Sequence, residues 1–305
     1  MLNFLSLIPL ILALFFAPLL SGIINKTKAW FAGKTGPNIF QKYKDLYKLM
    51  LKGSVYGENT SWLFKAGPIV NLAAVFLALF FLPQGGNVAF ISVNGDLFFF
   101  IYLLGLGRFF TILAAFDTGS SFEQMGASRE AFYSAMTEPV LLLGLSGLGF
   151  LSQSMSLSTL YMHVENIPIL ANAISSLVFI FGAFFIVMLA ENSRIPVDDP
   201  TTHLELTMIH EVMILDHSGI DLAFIEYASS LKLWLFGSLT IGLIFRLFFF
   251  SFWVQILLFL VGMALIASMI GIVESFFARF KLVKIPYLLI TSFVLSALWI
   301  IWIIL

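Results

Sequence analysis

The 305-residue chain has no cysteine. That excludes disulfides, thiolate metal sites and iron–sulfur ligation within it, so any redox cluster it works with sits on another polypeptide. Charge is also scarce, at 11% Asp, Glu, Lys and Arg against 60% hydrophobic residues. Soluble domains carry about 25% charged residues. Positive charge is missing at the N-terminus, where LNFLSLIPLILALFFAPLLSGII has no basic leader segment and an apolar core too long for a signal peptide. A soluble globule is therefore excluded.

What is abundant is apolar runs of membrane-crossing length. About eight spans can be drawn: roughly 2–24, 68–83, 96–116, 131–153, 170–190, 228–249, 252–275 and 284–304. The expected fold class is an all-α polytopic membrane protein, with residues 1–305 forming a single integral membrane domain. Lysine and arginine orient it. Residues 25–67 hold eight lysines against Asp45 and Glu58, whereas 84–95 and 154–169 hold no lysine or arginine. The first loop is therefore expected on the cytoplasmic side, with both termini outside. Within that loop, NIFQKYKDLYKLMLK places Ile39, Tyr43, Leu46, Tyr47 and Met50 on one helical stripe, with lysines largely off it. This predicts an interfacial amphipathic helix, acting as a surface anchor, a docking surface or a lid over a cavity.

The scarce charge is concentrated. Residues 191–226, in a long cytoplasmic loop between spans five and six, hold eight of the seventeen acids and three of the four histidines. Their only base is Arg194. Asp199-Pro200 and the Thr202–Glu205 pattern predict a helix from about 200 to 215. On it His203, Thr207, His210 and Glu211 share a face. A metal site does not fit: residues seven apart lie about 10 Å apart along a helix, whereas zinc ligands lie about 2 Å from one ion. His210-Glu211 also has Ile214 where a His-Glu-x-x-His motif needs histidine. The row suits a proton relay or a polar cavity wall. A solvated, partner-binding loop explains the residues equally well.

Ionisable groups also fall inside spans: Arg108, Glu138, Glu191 and Glu274. Such groups cost several kcal/mol unless paired or hydrated and are functional candidates. Glu138 lies about 10 Å into its span by helical rise, with Arg108 and Arg129 as alternative partners. Glu274 has Arg279, Lys281 or headgroup water within reach. The stretch 117–130, DTGSSFEQMGASRE, reads as a short cytoplasmic turn whose glycines permit close backbone approach.

Two long motifs carry a resemblance. Glu191-Asn-Ser-Arg194-x-Pro196-x-Asp198 followed by Glu205-Leu206, with Lys34-Thr-Gly36-Pro37-Asn38, Gly126-Ala-x-Arg129 and the embedded Glu138, resembles the quinone-chamber subunit of respiratory complex I. Thr201 and His203 stand where that subunit usually has two further acids. The run Thr202–Glu211 is instead similar to the related subunit of group 4 membrane-bound hydrogenases, which include formate hydrogenlyase and hydrogenase-4. So are Gly36-Pro37-x-x-x-Gln41-x-Tyr43-x-Asp45, Asp117-Thr-Gly119 through Glu130, and Glu274-Ser-x-x-Ala-Arg279.

The resemblance implies a non-redox-active, multi-pass subunit of the cytoplasmic membrane, binding no metal and no nucleic acid. Its implied partners are a [NiFe] hydrogenase large subunit, a small iron–sulfur subunit, a ferredoxin-like subunit, antiporter-like membrane subunits and lipid. The [NiFe] centre and clusters belong to those partners; a quinone is possible but not favoured. The implied coupling path to proton or sodium translocation is Glu130, Glu138, Glu191, Asp198, His203, Glu205, His210 and Glu211. Arg108, Arg129, Arg194, Glu274 and Arg279 are expected in structural ion pairs. Gly36, Pro37, Gln41, Tyr43 and Asp45 are expected at a docking surface or cavity lid. The competing expectations are a quinone-binding subunit of an NADH:quinone oxidoreductase and an ion-coupled secondary transporter.

Overall fold

The computed structural model describes residues 4–163, 171–199, 208–245 and 251–304. Helices α1 (Leu7–Phe31), α3 (Trp62–Phe81), α4 (Asp96–Asp117), α5 (Ser121–Ser152), α7 (Ala171–Glu191), α9 (Gly219–Phe245), α10 (Phe252–Phe276) and α11 (Ile285–Ile304) fall on the apolar runs. Short helices α2 (Gln41–Met50), α6 (Leu157–His163) and α8 (His210–Met213) lie between them. Among the described residues there is no strand, as a lipid-embedded backbone that must satisfy its own hydrogen bonds requires. Among the described residues, seven helices are long and apolar enough to cross a membrane, and α7 contributes the apolar stretch Leu177–Glu191.

Several helices outrun their apolar segments. Helix α3 starts at Trp62, with the Ser61 hydroxyl accepting from Leu63 N at 3.2 Å, so Pro68 sits inside it rather than at its start. The turn expected over 117–130 shrinks to 118–120, because α5 already begins at Ser121. Glu123 lies in its first turn, where a carboxylate complements the helix dipole. The helix expected across 200–215 is interrupted: Met208 and Ile209 are not helical, and α8 spans only His210–Met213. Residues 200–207, including His203 and Glu205, lie outside the described residues. In the first loop, α2 is the amphipathic helix that the stripe predicts.

The spanning helices share one core, in which Phe100, Phe184, Trp234 and Trp299 are fully buried. Phe15, Phe99, Tyr102, Leu257 and Leu265 point outward and stay exposed, as lipid-facing side chains do. The loops gather at two ends. At one end, the first loop, the 118–120 turn, the 192–199 and 208–218 stretches and the 277–284 connection interlock. Ser61 N donates to Asp117 at 2.6 Å, Asp216 N to Glu123 at 3.1 Å, Val55 N to Ser218 Oγ at 3.0 Å, and Phe280 N to Pro196 O at 2.9 Å. At the other end, residues 82–95 meet the 153–158 segment around the buried Asp96.

Candidate functional site

The C-terminus of α7 places the first charges. Asn192 N, Ser193 N and Arg194 N return to carbonyls of the last turn, and Ser193 takes a left-handed φ of 51°, a common way to end a helix. The chain then sends Glu191 and Arg194 to different partners.

Glu191 is buried at the junction of four helices. It receives Lys232 from α9 at 2.8 Å, Arg108 from α4 at 3.3 Å and the Thr137 hydroxyl from α5 at 2.5 Å. Arg108, only 7% exposed, also reaches Glu138 of α5 at 3.2 Å. Arg108 is thus the partner of Glu138, and Arg129 is not. Two cations and two carboxylates in one low-dielectric site compensate each other's desolvation, which a lone ion could not. The Glu138 side chain keeps 41% of its surface exposed, although it sits near the middle of α5. Beside the pair is a narrow cavity of about 30 Å³ bordered by Asn71, Arg108, Glu130, Glu191, His210 and Lys232.

Arg194 turns towards α10, where Glu274 sits between it at 3.6 Å and Lys28 of α1 at 2.8 Å. Neither Arg279 nor Lys281 is the partner of Glu274. Arg279 instead meets Asp198 at 2.8 Å. Asp198 also accepts from Ile209 N and His210 N, each at 3.1 Å, and from Asp199 N at 2.9 Å. It therefore caps and fixes the start of α8. Arg129 donates to Met208 O at 2.9 Å, holding the main chain just before α8, not a carboxylate. Gly126 lets α8 settle onto α5, since a Cβ there would lie 2.2 Å from Val212 and 2.8 Å from Ile209 O.

A second, roomier cavity of about 250 Å³ lies between α1, α2, α8 and α9. Its walls are polar: Asn25, Gln41, Lys42, Asp45, Glu211 and Glu226 among them. Lys42 of α2 pairs with Glu226 of α9, and Gln41 donates to Asp45 at 2.8 Å. Burial pushes the Glu211 carboxyl up, with the adjacent His210 pulling the other way. Tyr43 instead bonds the Phe15 carbonyl, which ties α2 to α1. Gly36 and Pro37 are exposed and do not border this cavity. Among the described residues no group of three or more His, Cys, Asp or Glu is placed to hold a metal ion.

Sequence reasoning missed Lys232, Thr137, Lys28, Lys42 and Glu226 as site residues. Lys232 was readable as a charge near the cytoplasmic face. Its place opposite Glu191 follows from α9 starting at Gly219, which puts residue 232 inside the helix.

A bundle of this kind, with buried ion pairs below a layer of charged connections, is a membrane protein built to hold charge at depth. The profile of the NADH dehydrogenase family matches residues 4–305, and the chain belongs to that family. It is 31% identical over 271 residues to formate hydrogenlyase subunit 4 of Escherichia coli, covering 88% of this chain and 85% of that one. It is 30% identical over 303 residues to hydrogenase-4 component C of the same organism, covering 96% and 93%. Identity to a subunit of the NADH-quinone oxidoreductase of Rubrobacter xylanophilus is 27% over 214 residues, covering 66% and 62%. The fold matches a chain of the membrane-bound sulfane sulfur reductase, an archaeal respiratory membrane complex, with a TM-score of 0.80 over 97% of both chains at 20% identity.

Proposed function

We propose that this chain is the membrane subunit of a multi-subunit hydrogenase complex of the formate hydrogenlyase type, resident in the cytoplasmic membrane. Its charged end seats the [NiFe] and iron–sulfur subunits, and its spans adjoin antiporter-like subunits. The identity to formate hydrogenlyase subunit 4 and hydrogenase-4 component C along most of their lengths supports this branch. The observation that carries the coupling role is the succession of ionisable groups leading inward. It runs from Lys42, Glu211 and Glu226 past His210 to Lys232 and Glu191, then through Arg108 to Glu138.

Electrostatics makes such a row responsive. Glu191 is held by two cations, and Arg108 is shared between two carboxylates. A proton arriving on Glu138 weakens its hold on Arg108, so protonation and ion pairing exchange with each other. A movement of the 208–218 segment, driven by redox turnover in a docked subunit, would shift the same balance from the other end. The exposure of Glu138 at span depth suits a next carrier on a neighbouring membrane subunit, because a carboxylate that faces lipid on one side is costly even with Arg108 on the other. A quinone-binding role fits less well. A quinone tail needs an apolar entry, whereas the larger of these cavities is lined by Lys42, Asp45, Glu211 and Glu226.

Affinity purification on a tag carried by this chain, with subunit identification and a hydrogen-evolution assay, tests the assignment. Recovery of [NiFe] and iron–sulfur subunits with hydrogen evolution is expected. Recovery with an NADH-oxidising module and quinone reductase activity would overturn it.

A further inference from the structure

We propose that the traffic between the two cavities is protons, not sodium ions, and that it crosses on the imidazole of His210. This inference rests on the coupling role proposed above and narrows it to one ion and one residue.

The two cavities have four bordering residues in common: Asn192, Ser193, His210 and Ser229. Of these, only histidine gains and loses a proton near neutral pH. The deep side of His210 faces Arg108, Glu130, Glu191 and Lys232. The outer side faces Lys42, Asp45, Arg194, Glu211 and Glu226. From α5, Arg129 fixes the Met208 carbonyl, and Asp198 holds the His210 amide. The main chain that carries the imidazole is thereby held between two groups of ionisable residues. The ring can take a proton on one nitrogen from the outer side and release the proton of the other nitrogen inward. A ring flip or tautomer exchange then restores the starting state, with no net gain or loss.

A sodium ion has no comparable way through. Hard cations are bound by a shell of oxygen ligands. The deep cavity offers about 30 Å³, bordered by the fixed cations Arg108 and Lys232. That volume holds two or three water molecules at most, given about 10–15 Å³ for each. It has no room for a hydrated ion. Asn192 Oδ1 is buried at the junction without a hydrogen-bond partner among the described residues, the setting in which buried groups use water. A short water bridge beside an imidazole conducts protons and excludes metal cations.

The test uses the whole complex, purified on a tag in this chain and reconstituted in liposomes, with reduced methyl viologen as electron donor. Proton translocation per turnover is read with an entrapped pH-sensitive dye. His210→Ala and His210→Gln are each expected to lower it at least ten-fold. Subunit composition and uncoupled turnover should stay within two-fold of the unmodified complex. Imidazole added to the His210→Ala complex is expected to restore transport, with substituted imidazoles ranked by their pKa. A structural role would not give that ranking. Transport lost in His210→Gln but not restored by any imidazole in His210→Ala would overturn the relay. Normal transport in both His210 variants, with loss in Glu138→Gln, would also overturn it while leaving the coupling role intact. Normal transport in all three variants would remove the coupling role itself.

Discussion

The two ends of this bundle are built from different chemistry. At the end that holds the first loop and α8, charged side chains do the tying: Asp198 to Arg279, Glu274 to Lys28 and Arg194, Lys42 to Glu226. At the opposite end the ties are mostly neutral. Trp234 Nε1 donates to Gln84 at 3.1 Å, and Ala89 N donates to Ser158 Oγ at 2.9 Å. Among the described residues the carboxylate at its centre is Asp96, which accepts from Ser156 at 2.9 Å, Leu157 N at 2.6 Å and Val93 N at 3.2 Å. Both ends are tied by specific polar contacts, so stability alone does not account for the contrast. Neutral hydrogen bonds hold one geometry. Ion pairs with shared partners hold several geometries of similar energy, and which is favoured depends on where the protons are. The charged end and the pairs beneath it are thus the part able to switch.

The largest effect is expected from breaking that pairing. Arg108→Met removes a cation shared by Glu138 and the buried Glu191, and loss of one partner of a buried pair costs about 3–5 kcal/mol. The variant should melt well below the parent in detergent, or fail to accumulate. An unchanged melting temperature would mean that the pair adds nothing to the fold. Next comes Gly126→Val, whose side chain enters space held by Val212 and Ile209 O. Overpacking of this kind costs about 1–3 kcal/mol. It should displace α8 and raise protease cutting near residues 208–218 before the spans are affected. Asp96→Asn probes the other end. It keeps the shape, but its Nδ2 cannot accept, so at least one of the three hydrogen bonds is lost and the remainder are no longer charged, a charged one being worth about 1.5–3 kcal/mol and a neutral one less. Stability should fall modestly with coupling untouched; a coupling defect would break the division between the ends.

The smallest effect is one of pH. His217 stacks on Phe64 at 4.0 Å, and burial lowers its pKa from 6.5 to about 4 against the opposing pull of Asp221 and Asp216. The folded protein therefore favours neutral imidazole, and the opened segment binds the proton more readily. The stabilisation is complete above pH 6.5 and is lost as pH falls from 6.5 towards 4. Amide exchange of residues 209–218 should accelerate over that window and become flat in His217→Phe. Equal acceleration in both proteins would assign the effect to other groups.

The spans were legible in the sequence because lipid demands apolar length, and every expected apolar run falls on a helix in its described part, the second and fourth running only one or two residues past its end. Helix ends were less legible. Residues 121–130 and 219–227 are polar enough to read as loop or surface, yet they continue α5 and α9 beyond the apolar stretch. Hydropathy marks where lipid is, not where a helix stops. Glu138, Glu191, Arg108 and Glu274 stood out because charge is rare in such segments. Their partners did not, because pairing such as Glu191 with Lys232 or Glu274 with Lys28 depends on helix packing. Arg129 and Arg279 show the same limit: one holds a carbonyl and the other caps through Asp198, choices set by the position of α8.

The measurement that bears most directly on the coupling role is proton translocation per turnover in the reconstituted complex carrying Glu138→Gln. Glu138 lies inside a span, so its substitution cannot be explained as a lost docking contact at the charged end. Intact subunit composition and uncoupled turnover, with translocation reduced ten-fold or more, is the predicted result. Unchanged translocation would contradict a proton path through this chain and leave it as an anchor.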